Sequence, residues 1–90
     1  MSKRIIYSRG FPYGAPLVML RGGATKDSAV RDYLKSLRFM WNPEHFAWEN
    51  YMYKSELVDV LLHLRDELGC EVIPKTDIDP SYVVDLPVKS

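Results

Sequence analysis

Apolar residues recur at a helical interval in two stretches of this chain and alternate in several others. Val30, Tyr33, Leu34 and Leu37 fall at i, i+3, i+4 and i+7. That spacing lines one face of an α-helix and predicts a first helix over roughly Lys26 to Leu37, with Thr25 as its N-cap. Leu57, Leu61, Leu64 and Leu68, widened by Val58, Val60 and Leu62, predict a second helix. Ser55 caps its start, and Gly69 stands where a left-handed C-cap is needed. Ahead of the first helix, Ile5-Ile6-Tyr7 and Leu17-Val18-Met19-Leu20 are β-prone runs separated by Gly10, Pro12, Gly14 and Pro16. They predict two strands joined by a long turn. Between the helices Phe39 and Trp41 alternate, Asn42-Pro43-Glu44-His45 carries turn chemistry, and Phe46 and Trp48 alternate again. This predicts a β-hairpin whose rings face inward and fill the core. Cys70 to Ile73 adds a short strand before Pro74.

The order β-β-α-β-β-α-β predicts an α+β fold: one small domain with a mainly antiparallel sheet and two helices packed on one face. The domain runs over residues 1–74. Residues 75–90 hold Pro80 and Pro87 with Asp77, Asp79 and Asp85, and read as an irregular tail in which Tyr82-Val83-Val84 pairs as an edge strand. Ninety residues leave no room for a second domain, and 47% hydrophobic with 12% aromatic residues supply one core. The single cysteine, Cys70, excludes an internal disulfide and the four-Cys zinc modules, so a reducing cytoplasm is the simplest location. The first residues lack the apolar run of a signal peptide, and no later stretch has the length of a membrane span, so no membrane partner is expected.

Twelve bases balance twelve acids, yet they are unevenly placed. Residues 1–40 carry eight Lys and Arg against Asp27 and Asp32, whereas residues 41–90 carry four against ten Asp and Glu. Such a dipolar chain can bind an anionic partner on one side, or pair its own halves electrostatically.

From Asp32 to Leu61 the segment DYLKSLRFMWNPEHFAWENYMYKSELVDVL resembles the HARP motif of annealing helicases and small modules of bacterial mobile-element proteins. Leu34 and Leu37 on the helix, Phe39, Trp41, Asn42 and Pro43 at the turn, and Trp48 on the returning strand carry the resemblance. It covers about a third of the chain. Arg38 departs from it, standing where the mobile-element modules commonly have glycine, and so does Phe46, standing where a basic residue is common. The resemblance implies engagement of single-stranded or forked DNA, without the motor domain beside which the helicase module lies.

Candidate chemistry is mainly basic. Arg31, Lys35 and Arg38, at i, i+4 and i+7, form a cationic ridge away from the apolar stripe of the first helix. Arg21-Gly22-Gly23-Ala24-Thr25-Lys26 places backbone N–H groups and a lysine at the start of that helix, where a phosphate is favoured, although the Walker spacing is absent. Arg9-Gly10-Phe11-Pro12-Tyr13-Gly14 offers two rings beside an arginine. They serve as a stacking platform for unpaired bases, as anchors in a protein groove, or as a cover for one end of the core. On the second helix Glu56, Asp59 and Glu67 give an acidic face, which solubility alone demands but which also imitates nucleic-acid charge.

For catalysis the inventory is thin. His45 and His63 have no nucleophile elbow or carboxylate dyad to work with, and Cys70 follows a helix C-terminus, where the dipole disfavours a thiolate. Neither an enzyme, a metal nor a cofactor is expected. The leading expectation is a small non-catalytic nucleic-acid-binding domain that contacts phosphates through Arg21, Lys26, Arg31, Lys35 and Arg38, helped by Arg9, Phe11 and Tyr13. The alternative is a protein-interaction module, a regulator or inhibitor of a larger complex, using Phe11 and Tyr13 or the acidic face of Glu56, Asp59 and Glu67. A homodimer through a free strand edge is compatible with both.

Overall fold

The computed structural model describes residues 3–88. Strand β1 (Arg4–Gly10) pairs antiparallel with β2 (Leu17–Arg21), and the turn between them contains a short 3-10 segment at Pro12–Gly14. Helix α1 (Ser28–Ser36) leads to the hairpin β3 (Met40–Asn42) and β4 (Ala47–Tyr51). Helix α2 (Lys54–Asp66) then leads to β5 (Glu71–Pro74). The strands form one mixed sheet in the order β3-β4-β2-β1-β5. β5 lies parallel to β1, whereas the other pairs are antiparallel. The fold is therefore α+β, and its last strand is the exception to the antiparallel expectation.

Register decides what each face of the sheet carries, because directly opposed residues point the same way. Trp41, Trp48, Leu20 and Tyr7 form one row across four strands. With Ile5 and Val18 this is the side that meets the helices. Val30 and Leu34 of α1 and Leu57, Val60, Leu61 and Leu64 of α2 are buried in the same cluster. The helices also touch each other, with the Tyr33 and His63 rings stacked at 4.1 Å. The opposite face has no helix on it and carries Ile6, Ser8, Met19, Arg21, Met40 and Glu49.

Local chemistry moves the helix starts. Thr25 does not cap α1; its hydroxyl bonds the Gly22 carbonyl within a 3-10 turn at Gly23–Lys26. Asp27 is the cap, accepting from the amides of Ala29 at 2.9 Å and Val30 at 3.2 Å. Likewise Tyr53, not Ser55, is the N-cap residue of α2. The Glu56 carboxylate reaches back to the Tyr53 amide at 3.5 Å. Gly69 takes the left-handed conformation expected of it, with φ at 70°.

The hairpin also differs from its alternating pattern. Phe46 sits in the turn with φ at 50° and is 72% exposed, so its ring does not join the core. The left-handed residue shifts the phase of the alternation, and Trp48 alone of the later pair is buried. Trp41 shares the inward row but lies on the outermost strand, where it is 46% exposed.

The tail is irregular, but it has no strand at 82–84. Residues 80–82 form a 3-10 turn, and Val84 is buried in the core, with Ile78 and Leu86 packed against it. Residues after Pro74 are thus part of the domain's packing. Among the described residues no helix is long and apolar enough to cross a membrane.

Candidate nucleic-acid interface

The end of α1 positions a group of exposed side chains. Leu37 closes the helix. The Arg38 amide then donates to the Lys35 carbonyl and the Phe39 amide to the Leu34 carbonyl, each at 3.0 Å. This is the Schellman arrangement, in which the residue after the C-cap adopts a left-handed backbone and is usually glycine. Here it is Arg38, with φ at 70°. Phe39 and Leu34 both enter the core, which fixes the turn from below. Asn50 of β4 donates to the Leu37 carbonyl at 2.8 Å and ties the helix end to the sheet.

Arg38 consequently lines a groove of about 380 Å³ together with Met40, Trp41, Asn42, Glu49 and Tyr51. Its walls are unusually open for apolar side chains: Met40 is 75%, Tyr51 55% and Trp41 46% exposed. Trp41 leans on Trp48, with ring centroids 5.8 Å apart, so one ring is anchored in the core and the other is presented at the edge.

The groove also contains a fixed anion. Asn42 donates to Glu49 at 3.0 Å, and His45 Nδ1 lies 2.7 Å from the other carboxylate oxygen. Burial pushes the Glu49 carboxyl up. The hydrogen bonds from Asn42 and His45, with the charges of His45 and Arg21, outweigh burial and hold it below its usual range.

The structure divides the sequence-predicted cations between two sides of the molecule. Arg31 and Lys35 are exposed on α1, one turn apart; Arg38 is exposed as well, but it lies past the end of the helix with a left-handed backbone, so the helical i+7 spacing expected of it is not realised. Arg21 is not part of it. Its strand partner is Ile6 on the face away from the helices, and its guanidinium donates to Ser8 Oγ at 3.4 Å and the His45 carbonyl at 3.2 Å. At the helix start after Gly22–Lys26, two of the amides that a phosphate would use are not free. The Asp27 carboxylate already takes the α1 amides, and Lys26 is exposed in the 3-10 turn before it.

The aromatic loop is divided in the same way. Phe11 packs on Tyr82 of the tail at 5.3 Å and lies under the Arg9 guanidinium at 5.6 Å, whereas Tyr13 is fully exposed with φ at 55°. Phe11, itself 44% exposed, is thus held against the tail, and among the described residues it makes no ring contact with Tyr13. On α2, Glu56 and Asp59 line a smaller groove with Tyr33 and Met52, and Glu67 is exposed at the C-cap.

Sequence reasoning named Arg38 as a cation and Trp41 as a core ring. It did not foresee Met40 and Tyr51 as groove walls. Both lie on the strand face opposite Trp41 and Trp48, and alternation is the signal that identifies them. Comparison with protein-family models, curated proteins and solved structures finds no match to this chain.

Proposed function

We propose that this chain is a small non-catalytic domain that binds single-stranded nucleic acid, with Arg31, Lys35 and Arg38 neutralising phosphates and Trp41 and Tyr51 receiving bases. The observation that carries the reading is Arg38. It follows directly on the helix that carries Arg31 and Lys35, and it lines the aromatic groove, in a backbone conformation that glycine would hold with less strain. A strained, exposed residue at the junction of two surfaces is the kind of feature that a binding site retains. Aromatic stacking is sequence-tolerant and supplies about 1–3 kcal/mol per base, while the cations give the salt-dependent part of the affinity. The likeness of residues 32–61 to the HARP motif points to single-stranded or forked DNA as the first substrate to try.

Exposed Met40 beside Trp41, Tyr51 and Arg38 also has the composition of a protein-interface core, which defines the competing reading. Fluorescence anisotropy with labelled single- and double-stranded oligonucleotides at low and moderate salt separates the two. Binding that weakens steeply with salt and disappears in the Arg31→Glu, Lys35→Glu double variant supports the nucleic-acid reading. Absence of binding at low salt overturns it and leaves the groove to a protein partner.

A further inference from the structure

A second concavity, of about 420 Å³, opens where the tail passes Ser8, Met19 and Arg21 of the helix-free sheet face. It shares no lining residue with the groove at Arg38. Its charged and titratable walls are Arg9, Arg21, His45, Lys75 and Tyr82, with Asp77 and Asp79 opposing the cations.

Most of these groups are already occupied. Lys75 Nζ lies 2.8 Å from Asp77, and Asp79 accepts from the Ser81 amide at 2.9 Å and its hydroxyl at 2.8 Å. His45 is bound to Glu49. The two arginines differ. Arg21 donates only to uncharged acceptors, Ser8 Oγ, the His45 carbonyl and Met19 Sδ, although its charge also acts on Glu49 and Asp77 from beyond ion-pair distance. The Arg9 guanidinium carbon lies 5.6 Å from the Phe11 ring and 5.8 Å from the Tyr82 ring, and its buried Nε has no hydrogen-bond partner. Among the described residues, neither arginine has a carboxylate within ion-pair distance. The rings hold the Arg9 fork in place without neutralising it.

We propose that this concavity is an oxyanion site for a terminal phosphate monoester, held by the guanidinium groups of Arg9 and Arg21 with Lys75 beside them. Planar guanidinium forks match phosphate oxygens two at a time, and a buried guanidinium nitrogen without an acceptor is costly until one arrives. The opposing carboxylates select among phosphates. Asp77 and Asp79 repel an extended strand of phosphodiesters, whereas a compact terminal phosphate, carrying close to two charges, gains more from two arginines that have no direct ion pair. The same chemistry is offered by the 5′-end of an oligonucleotide and by a free mononucleotide.

The test compares a 5′-phosphorylated oligonucleotide with its 5′-hydroxyl twin by anisotropy, and follows amide spectra during titration with inorganic phosphate and adenosine 5′-monophosphate against a chloride control. The phosphorylated strand is expected to bind about tenfold more tightly. The Arg9→Gln, Arg21→Gln double variant removes the difference, whereas Arg38→Gly leaves it in place. If neither strand binds, the nucleic-acid reading of the Arg38 groove fails while the titrations still decide this site. Shifts confined to residues around Arg21 and Lys75 on adding adenosine 5′-monophosphate support it, with a free mononucleotide as the ligand. Should the double variant melt early, Lys75→Gln is used, and a weakened phosphate response is expected. Equal affinity for both strands together with spectra that respond no differently from chloride overturns the proposal.

Discussion

The phenol of Tyr7 holds both polar groups of Val84 at once: its oxygen accepts from the Val84 amide at 3.2 Å and donates to the Val84 carbonyl at 3.4 Å. Both residues are buried, one near the start of the chain and the other near its end. Tyr7→Phe preserves the ring but leaves an amide and a carbonyl without partners, at a cost of about 1–3 kcal/mol. The expected result is a lower denaturant midpoint with an unchanged slope. A chain ended after Asp79 also loses the burial of Val84 and Leu86, and is expected to be less stable than the single variant.

Gly22 is required by space as well as by conformation. Its φ is 115°, and a Cβ there would lie 2.4 Å from the Arg4 carbonyl oxygen, which is backbone and cannot swing away. Gly14 also has a positive φ, of 78°, but nothing lies near its missing side chain. Gly14→Ala is expected to cost about 1 kcal/mol from backbone strain, and Gly22→Ala distinctly more. Thermal unfolding of the two variants side by side measures how much more the backbone and the clash at Gly22 demand than an uncrowded positive-φ turn does.

The close approach at Gly22 also explains why the first helix begins later than its pattern. Thr25 and Asp27 are both good caps, and the apolar spacing from Val30 onward does not choose between them. The choice is made by the strand β1 backbone packed on Gly22, which turns the chain through a 3-10 segment first. The periods of both helices and the inward ring of Trp48 were legible because each belongs to a local repeat, whereas the row that joins Tyr7, Leu20 and Trp48 depends on pairings between distant strands. The parallel docking of β5 on β1 and the return of Val84 to Tyr7 were not, since each joins residues more than sixty positions apart. At the candidate site the cations of α1 were legible. The left-handed backbones of Arg38 and Phe46 were not, because neither residue type signals that conformation, and with them went the exposure of Phe46 and the place of Arg38 in the groove.

Acid is expected to loosen the start of α1. The Asp27 carboxyl is held below its ordinary range first by the Val30 amide, against a smaller opposing effect of burial, and further by the Ala29 amide and Lys3. A carboxyl with a lowered native pKa stabilises the fold fully above its unfolded value, about 3.9, and the contribution is lost as pH falls through the native value. Asp27→Asn keeps an acceptor for the cap but does not titrate there. Its melting temperature is therefore expected to fall less between neutral pH and pH values below the usual aspartate range than that of the parent protein. At neutral pH, Asp27→Ala is expected to melt a few degrees earlier.

The two tryptophans that face each other across the hairpin are expected to separate folding from binding. Trp48 is 9% exposed and sits among core residues, so Trp48→Ala costs about 3–5 kcal/mol and threatens the fold of so small a domain. Trp41 is 46% exposed and loses much less burial on truncation. Trp41→Ala is expected to remain folded by circular dichroism and to bind a single-stranded oligonucleotide about tenfold or more weakly. Unfolding of Trp41→Ala would return that ring to a structural role.

Arg38→Gly gives opposite signs for stability and binding, which few substitutions do. The residue after the α1 C-cap has φ at 70°, a conformation that costs a side-chain-bearing residue about 1–2 kcal/mol and glycine almost nothing. Part of that gain is offset because glycine gives the unfolded chain more freedom, so the variant is expected to unfold at the same temperature or slightly above the parent. The guanidinium at the mouth of the groove is removed at the same time, so affinity for single-stranded DNA should fall and the dependence of affinity on salt should become shallower by about one phosphate contact. Arg38→Lys restores the charge without relieving the backbone, and is expected to recover most of the salt slope while keeping the parent's melting temperature. Should Arg38→Gly bind like the parent at every salt concentration, the ridge would end at Lys35, and the groove of Trp41 and Tyr51 would have to find its partner without a cation.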